Sequence, residues 1–256
     1  MTLQFDAAIA ADYKSQAQKI RVLSEAWTGE NIYCPRCGNP ALARFPNNRA
    51  VADFYCPKCH SEYELKSQKG AVRDKIPDGA YDTFVARITS NHNPDFFLLN
   101  YDASTLSVNN FWVIPNFFFT PAIVEKRKAL SLNARRAGWI GCNIMIGAIP
   151  PQGRICFIQN GLAIEKEIVL SNFERAISLQ TNNMDARGWL LDVLNCVNQI
   201  PTSEFSLEQV YAFESELQAR HPENNNVCPK IRQQLQFLRD RGYIRFLGRG
   251  RYQKLF

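Results

Sequence analysis

Two Cys-x-x-Cys pairs constrain the fold of this chain more than any other feature. Cys34 and Cys37 form the first pair, Cys56 and Cys59 form the second, and 18 residues separate the two pairs. Four thiolates at this spacing are typical of a closed tetrahedral zinc site. The N-terminus does not read as a secretory signal, which favours metal over disulfides. We therefore predict a structural zinc ion on these four cysteines, with a redox dithiol or unmetallated thiols as alternatives and His60 at the surface.

The second pair lies inside Val51–Lys66, which reads VADFYCPKCHSEYELK. Asp53 precedes the cysteines, and Glu64 and Lys66 follow them on a predicted strand. Side chains alternate along a strand, so Glu64 and Lys66 are expected on one face and Leu65 is expected buried on the other. The pattern is weak alone, because acids and lysines are common on solvated strand faces.

Two carboxylates beside a lysine are nevertheless suited to phosphodiester hydrolysis. Magnesium prefers carboxylate and backbone oxygens and keeps several waters. We therefore predict that Asp53, Glu64 and the Leu65 carbonyl bind Mg²⁺. Lys66 would orient or deprotonate the attacking water. The chain has three histidines, so a histidine-based nuclease site has little material to draw on.

The positive charge of the chain is concentrated at its C-terminal end. Residues 221–256 hold eight Lys/Arg and two acidic residues, so they account for the entire formal charge of +6. Such a block indicates a surface that binds a polyanion, although a solvated charged face is the simpler alternative.

Patterns before residue 183 predict one α/β unit. An amphipathic helix is expected over residues 6–27, a turn at Asn47-Asn48, and a polar loop over 67–79. The remaining predicted elements are a helix over 79–89, strands over 96–101, 110–114 and 155–159, a buried aromatic patch at 116–120, and a helix around 172–178.

The last part of the chain has the pattern of a winged helix. The expected elements are a helix over 188–198, a helix opened by the capping box Ser206–Gln209, a helix with Val227, Ile231, Leu235 and Leu238 inward, and two short strands. We therefore predict two domains, residues 1–182 and 183–256.

The candidate DNA contacts fall in two places. Arg and Gln are suited to guanine and adenine edges, whereas Lys contacts phosphates. The candidates are Lys230, Arg232, Gln233, Gln236 and Arg239 on the third helix, Arg249 and Arg251 in the hairpin, and Arg135, Arg136 and Trp139 in the segment ARRAGWIG. Trp139 is as readily explained as a core residue, and the helix face as a merely wet one.

Several of these segments together resemble a known family. Ala52-Asp53 followed by Glu64-Leu65-Lys66 is similar to the PD-(D/E)xK nuclease signature, with alanine in place of proline. SQAQKIR, YCPRCGN, VADFYCPKC, ELKSQKG, ARRAGWIGCNI and KIRQQLQFLRD, in this order, resemble the DpnI family of methyl-directed type II restriction endonucleases along essentially the whole chain.

The resemblance carries its own expectations. It implies an α/β PD-(D/E)xK nuclease core with a four-cysteine zinc element, followed by a small winged-helix domain. It also implies cleavage of GATC only when the adenine is N6-methylated, with the Trp139 loop near the methylated base. The expected partner is double-stranded DNA, and the expected protein is a monomer. Independently of the resemblance, the sequence has no signal-peptide pattern and no run of about 18 apolar residues, which predicts a cytoplasmic protein without membrane contact. A non-catalytic zinc-ribbon and winged-helix regulator, or a repair or junction nuclease, remain alternatives.

Overall fold

The computed structural model describes residues 1–46, 52–70, 73–90, 92–181 and 183–256. The predicted turn at Asn47-Asn48, the start of the Val51 stretch and the predicted domain boundary at Asn182 lie outside these ranges. The described chain forms two compact units. The first is Met1–Asp74, Ser90–Phe118 and Pro151–Ile177, and the second is Lys75–Thr89, Phe119–Pro150 and Ser178–Phe256.

The elements are numbered in chain order. The strands are β1 (Ala43–Arg44), β2 (Phe54–Tyr55), β3 (Glu62–Lys69), β4 (Lys75–Ala80), β5 (Asp95–Asp102), β6 (Ser107–Ile114), β7 (Val124–Lys126), β8 (Gly141–Met145), β9 (Ile155–Gln159), β10 (Leu162–Ala163), β11 (Glu204–Ser206), β12 (Ile244–Gly248) and β13 (Arg251–Lys254). The helices are α1 (Gln16–Asn31), α2 (Tyr81–Ile88), α3 (Lys166–Ile177), α4 (Met184–Gln199), α5 (Leu207–Tyr211), α6 (Glu214–Arg220) and α7 (Val227–Asp240).

The first unit is built on a mixed seven-stranded sheet in the order β1-β2-β3-β5-β6-β9-β10. Strands β3 and β5 are parallel and the other neighbours are antiparallel. Strand β5 is buried along seven of its eight residues, because its run of apolar residues is covered on both faces. Phe97, Phe111 and Phe157 meet across the central strands with ring centroids 5.1–6.2 Å apart.

The second unit contains two three-stranded sheets, ordered β4-β8-β7 and β11-β13-β12. Helices α4 to α7 and the β12–β13 hairpin form the C-terminal part of this unit. The inward residues of α4 and α7 are buried as their helical spacing predicts. Ser206 and Gln209 form the predicted capping box, and Gly242 has a φ of 70°, which suits the residue that follows a helix.

Several sequence predictions are correct. The expected strands correspond to β5, β6 and β9, and the helix over 79–89 corresponds to α2. Phe117, Phe118 and Phe119 are buried, as predicted for the aromatic patch. Among the described residues, no helix is both long and apolar enough to cross a membrane.

Other predictions are wrong. The single helix over 6–27 is a short 3-10 turn at Ala7–Ala10 followed by α1, and Ile9 and Tyr13 are exposed. Asp6 caps the turn by accepting a hydrogen bond from the Ala8 amide, and the chain is extended again at Ser15.

The second winged-helix helix is also interrupted. It consists of α5 and α6, which meet at Phe213. The polar loop over 67–79 is largely strand, because its residues belong to the end of β3 and to β4, which pairs with the distant β8. The helix expected around 172–178 is the longer α3.

A polar cluster joins α4 to the end of α6. Asp192 accepts from Arg220 Nη1 at 2.8 Å and lies 2.8 Å from His221 Nε2. The indole of Trp189 stacks on the His221 ring, with the centroids 4.0 Å apart. The Asp192 side chain is 11% exposed, so its removal leaves two polar groups without their buried partner.

We predict that Asp192→Ala lowers the free energy of unfolding by about 2 kcal/mol, because a largely buried partner of Arg220 and His221 is lost. Urea unfolding monitored by circular dichroism measures this change. The matched control is Glu216→Ala, which removes the exposed partner of the same arginine and should change stability by less than about 0.5 kcal/mol. Equal effects of the two substitutions would contradict the role assigned to Asp192.

Candidate active site and metal centre

The four predicted zinc ligands converge on one point. The Sγ atoms of Cys34, Cys37, Cys56 and Cys59 all lie within 4.8 Å of one another. The Cys34–Cys59 and Cys37–Cys56 pairs are 3.5 and 3.6 Å apart. Zinc–sulfur bonds of about 2.3 Å in a tetrahedron put neighbouring sulfurs about 3.8 Å apart. The cluster therefore fits a structural zinc ion.

The two knuckles share one backbone design. The Gly38 amide donates to the Cys34 carbonyl, and the His60 amide donates to the Cys56 carbonyl, each at 2.9 Å. Gly38 and His60 both have positive φ values, 71° and 61°, which the tight turn requires. His60 is exposed and outside the thiol cluster, as the sequence predicted.

Burial and hydrogen bonding act on the thiols in opposite directions. Burial raises the pKa of Cys34. Burial also opposes ionisation of Cys59, but hydrogen bonds involving Ser61 and the neighbouring cysteines outweigh it and lower the pKa of Cys59 to about 7. A zinc ion would favour the thiolate form at all four positions.

Tyr63 links the thiol cluster to the strand that carries the candidate acids. Its hydroxyl lies 3.1 Å from Cys34 Sγ, and burial raises the pKa of Tyr63, so the hydroxyl stays protonated and can donate to this sulfur. Its ring stacks on Phe97 with the centroids 4.4 Å apart. Tyr63 is fully buried and immediately precedes Glu64, so the position of Glu64 depends on this packing.

Two further contacts attach the first knuckle to the unit. Arg36 Nη2 lies 3.6 Å from the buried carboxylate of Asp95, and Lys166 Nζ donates to the Gly38 carbonyl at 2.8 Å. Burial raises the pKa of Asp95 to about 6, although Arg36 acts in the opposite direction. These contacts hold the knuckle against β5 and α3.

Asp53 forms hydrogen bonds with Tyr63 and Leu65, the two residues that flank Glu64. Its amide donates to the Tyr63 carbonyl at 2.9 Å, and its Oδ2 atom accepts from the Leu65 amide at 2.7 Å. Within the described ranges, its Oδ1 atom accepts no hydrogen bond and remains available to a cation. The β2–β3 pairing, with Phe54 opposite Tyr63, places Asp53 next to Glu64 when it is continued by one residue.

Glu64 and Lys66 lie on one face of β3, as alternation predicts. Their side chains form an ion pair, with Lys66 Nζ 2.6 Å from Glu64 Oε1. The Lys66 side chain is 21% exposed and the Glu64 side chain is 13% exposed. Leu65 is half-buried, whereas the sequence analysis expected it to be buried. The structure therefore brings Asp53 next to the Glu64–Lys66 pair.

Helix α1 adds an acidic residue that the sequence analysis missed. The pKa of Asp53 is raised mainly by burial and further by the negative charge of Glu25, while the hydrogen bond from the Leu65 amide, Lys66 and Arg21 lower it. Glu25 itself is paired with Arg21 at 3.2 Å and with Arg44. The only local signal was the Arg21–Glu25 spacing of four residues on a helix, which does not reveal that α1 packs against β3.

The candidate DNA-binding residues lie at the surface of the second unit. Arg135 and Arg136 are exposed in the loop between β7 and β8, and the Arg136 guanidinium carbon lies 4.5 Å from the centre of the half-buried Trp139 ring. On α7, the exposed candidates are Arg232, Gln233, Gln236 and Arg239, and Lys230 is half-buried.

Several of these side chains already have partners within the chain. Arg232 donates to the Tyr211 hydroxyl at 2.7 Å, and Arg239 is paired with Asp240 at 2.8 Å. Arg251 is paired with Glu204 at 2.7 Å. Exposed ion pairs contribute little, so phosphates can replace these partners at small cost. Arg249 lies at the tip of the β12–β13 hairpin with a φ of 48°.

Comparison with protein families decides the membership of the chain. Residues 1–182 match the sequence profile of the DpnI, Dam-replacing family. Residues 185–254 match the profile of the Dam-replacing HTH domain. The chain belongs to the DpnI family. Membership in the DpnI family implies a methylation-dependent restriction endonuclease, and the helix-turn-helix match indicates DNA binding.

We predict that Glu25→Gln lowers the pKa of Asp53, because it removes the negative charge that disfavours ionisation of that carboxyl group. Titration of carboxyl ¹³C signals, assigned with Asp53→Asn, measures the change in zinc-containing protein without added magnesium. Since the folded pKa is raised, ionising Asp53 costs stability as the pH rises through it, and Asp53→Asn should remove that loss. Glu30→Gln, at the exposed end of the same helix, is the matched control. An Asp53 pKa that is equal in the Glu25 variant and the parent would refute the electrostatic coupling.

Proposed function

We propose that this protein is a Mg²⁺-dependent type II restriction endonuclease that cleaves double-stranded DNA at GATC sites with N6-methylated adenine. One observation supports the catalytic part of this proposal. Asp53 is hydrogen-bonded to both peptide groups that flank Glu64, and the Glu64 carboxylate forms an ion pair with Lys66. Family membership supports the methylation-dependent part, and the resemblance supports the GATC site.

The acidic groups supply the ligands that magnesium requires. Asp53 Oδ1, the Glu64 carboxylate and the Leu65 carbonyl would hold the ion. When bound, Mg²⁺ would neutralise the phosphate oxygens and lower the pKa of a coordinated water. The hydrogen bond from the Leu65 amide fixes the Asp53 carboxylate before any ligand arrives, so little reorganisation is needed.

Lys66 has a position suited to handling the attacking water. Its ammonium group pairs with Glu64 and is partly shielded from solvent. From this position Lys66 would orient the water or offset the charge of the scissile phosphate, and as the neutral amine it would accept the water's proton. The four-cysteine site would have only a structural role, because four thiolates leave no open position on zinc.

The second unit would supply recognition. Arg232, Gln233 and Gln236 lie exposed on α7, where Arg suits guanine and Gln suits adenine in the major groove. Lys230, Arg239 and the hairpin residues Arg249 and Arg251 would contact phosphates. Arg135, Arg136 and Trp139 would form a second contact, in which the indole packs near the N-methyl group.

Three accompanying proposals concern organisation. We propose that the nuclease domain spans residues 1–182 and the winged helix 183–256. We also propose that the protein acts as a cytoplasmic monomer. The basic C-terminal region supports binding of DNA.

We predict that the protein, with Mg²⁺, cuts plasmid from an adenine-methylating host and leaves unmethylated plasmid intact. Asp53→Asn and Lys66→Ala should each lower the cutting rate at least about 100-fold, because each removes a group that acts on the transition state. Both variants should retain duplex binding in a gel-shift assay. Lys69→Ala, an exposed lysine on the same strand, is the matched control and should cut normally.

The outcomes separate the alternatives. Equal cutting of both plasmids would refute the methylation requirement. Binding without cutting by the parent protein would favour a non-catalytic regulator. Preferential cutting of branched or damaged duplexes would favour a repair or junction nuclease.

A further inference from the structure

The loop between β7 and β8, residues 127–140, combines a highly exposed leucine with several positive charges. Leu132 is 91% exposed, more than any other large apolar side chain in the described ranges. Residues 126–141 contain five Lys/Arg and no acidic residue. Single exposed leucines are ordinary, so what requires explanation is an apolar tip surrounded by unopposed positive charge.

The loop is held in a defined conformation. The Arg127 backbone amide donates to the Gly141 carbonyl at 3.0 Å, and the Leu130 backbone amide donates to the Trp139 carbonyl at 2.9 Å. The Gly138 amide donates to the Leu130 carbonyl at 3.1 Å. Gly138 has a φ of 76°, which suits glycine. These bonds extend the β7–β8 hairpin and present its tip as an ordered projection.

Trp139 lies at the base of the loop and is half-buried. A Cβ atom on Gly141 would lie 2.7 Å from the indole, so the ring rests directly against that backbone. The Arg136 guanidinium lies over the same ring. Beyond the indole, the tip of the loop offers Leu132, which is far more exposed than Leu130 at 36%.

The charges of the loop indicate what kind of partner this is. In the described part of the chain, Arg127, Lys128, Arg135 and Arg136 form no ion pairs within 4.0 Å. A polyanion would satisfy them, and double-stranded DNA adds an apolar interior of stacked bases behind its phosphates. Leucine is among the side chains that proteins insert between base steps.

We propose that the 127–140 loop enters a groove of the DNA and that Leu132 wedges against the bases and partly unstacks one step. Arg127, Lys128, Arg135 and Arg136 bind the flanking phosphates. The inference rests on the proposed function, because the DNA is the nuclease substrate. It adds a deformation of that substrate and a residue that causes it.

The test uses the full-length Asp53→Asn protein, so that binding is measured without cleavage. The probe is a methylated GATC duplex with 2-aminopurine placed at successive flanking positions, because unstacking raises its fluorescence. The parent should raise the fluorescence at one step. Leu132→Ala should abolish the rise and weaken binding about tenfold, the scale of a few lost apolar contacts. Leu132→Met should retain the rise.

Two controls separate the wedge from general effects. Leu162→Ala removes another highly exposed leucine, on β10, and should leave fluorescence and affinity unchanged. Arg135→Ala should weaken binding and reduce the salt slope by about 1, while the fluorescence at saturation remains.

A Leu132→Ala protein with the parent's fluorescence and affinity would overturn the wedge and leave the nuclease proposal intact. Failure of the parent to bind any duplex would overturn both. Binding of anionic phosphatidylserine vesicles in preference to DNA, or a dimer that Leu132→Ala dissociates, would assign the loop to another partner and also overturn the wedge.

Discussion

The four-cysteine cluster is the constraint on which the candidate active site depends. Strand β2 has only two residues, and a short hairpin has little stability of its own in water. The second knuckle forms the turn between β2 and β3, and the first knuckle brings its cysteines from a point before β1. Structural zinc contributes about 10–16 kcal/mol in small domains, which is ample to close such a hairpin. Tyr63 extends this constraint to Glu64, because its hydroxyl contacts Cys34 and its carbonyl accepts the Asp53 amide.

A closed hairpin is needed because the charges it holds together repel one another. Burial and Glu25 both disfavour ionisation of Asp53. The largely buried Glu64 lies opposite Asp53 when the β2–β3 pairing is continued by one residue. Lys66, Arg21 and Arg44 offset part of this negative charge. A divalent cation would offset the rest, so the same arrangement that costs stability would favour metal binding. All the candidate catalytic and zinc residues belong to the first unit, and all ten candidate DNA contacts belong to the second.

The parts of the fold that sequence could predict are those set by local rules. Cysteine spacing predicts the thiol cluster, alternation predicts the shared face of Glu64 and Lys66, and the Ser206–Gln209 spacing predicts the capping box. What it missed depends on distant contacts. The pairing of β4 with β8 and the approach of Glu25 to Asp53 join segments whose separation along the chain carries no signal. The predicted helix over 6–27 failed for a local reason, because its apolar spacing continues through a turn that Asp6 caps.

The central claim is that zinc holds the carboxylates of the candidate magnesium site together. Manganese, an oxygen-binding stand-in for Mg²⁺, can be titrated by electron paramagnetic resonance into parent, Cys56→Ser and Cys228→Ser proteins of known zinc content. The account predicts that Cys56→Ser loses zinc, folded structure in the first unit and the manganese site together, while Cys228→Ser keeps all three. A Cys56→Ser protein without zinc that still binds manganese with the parent's affinity would contradict it.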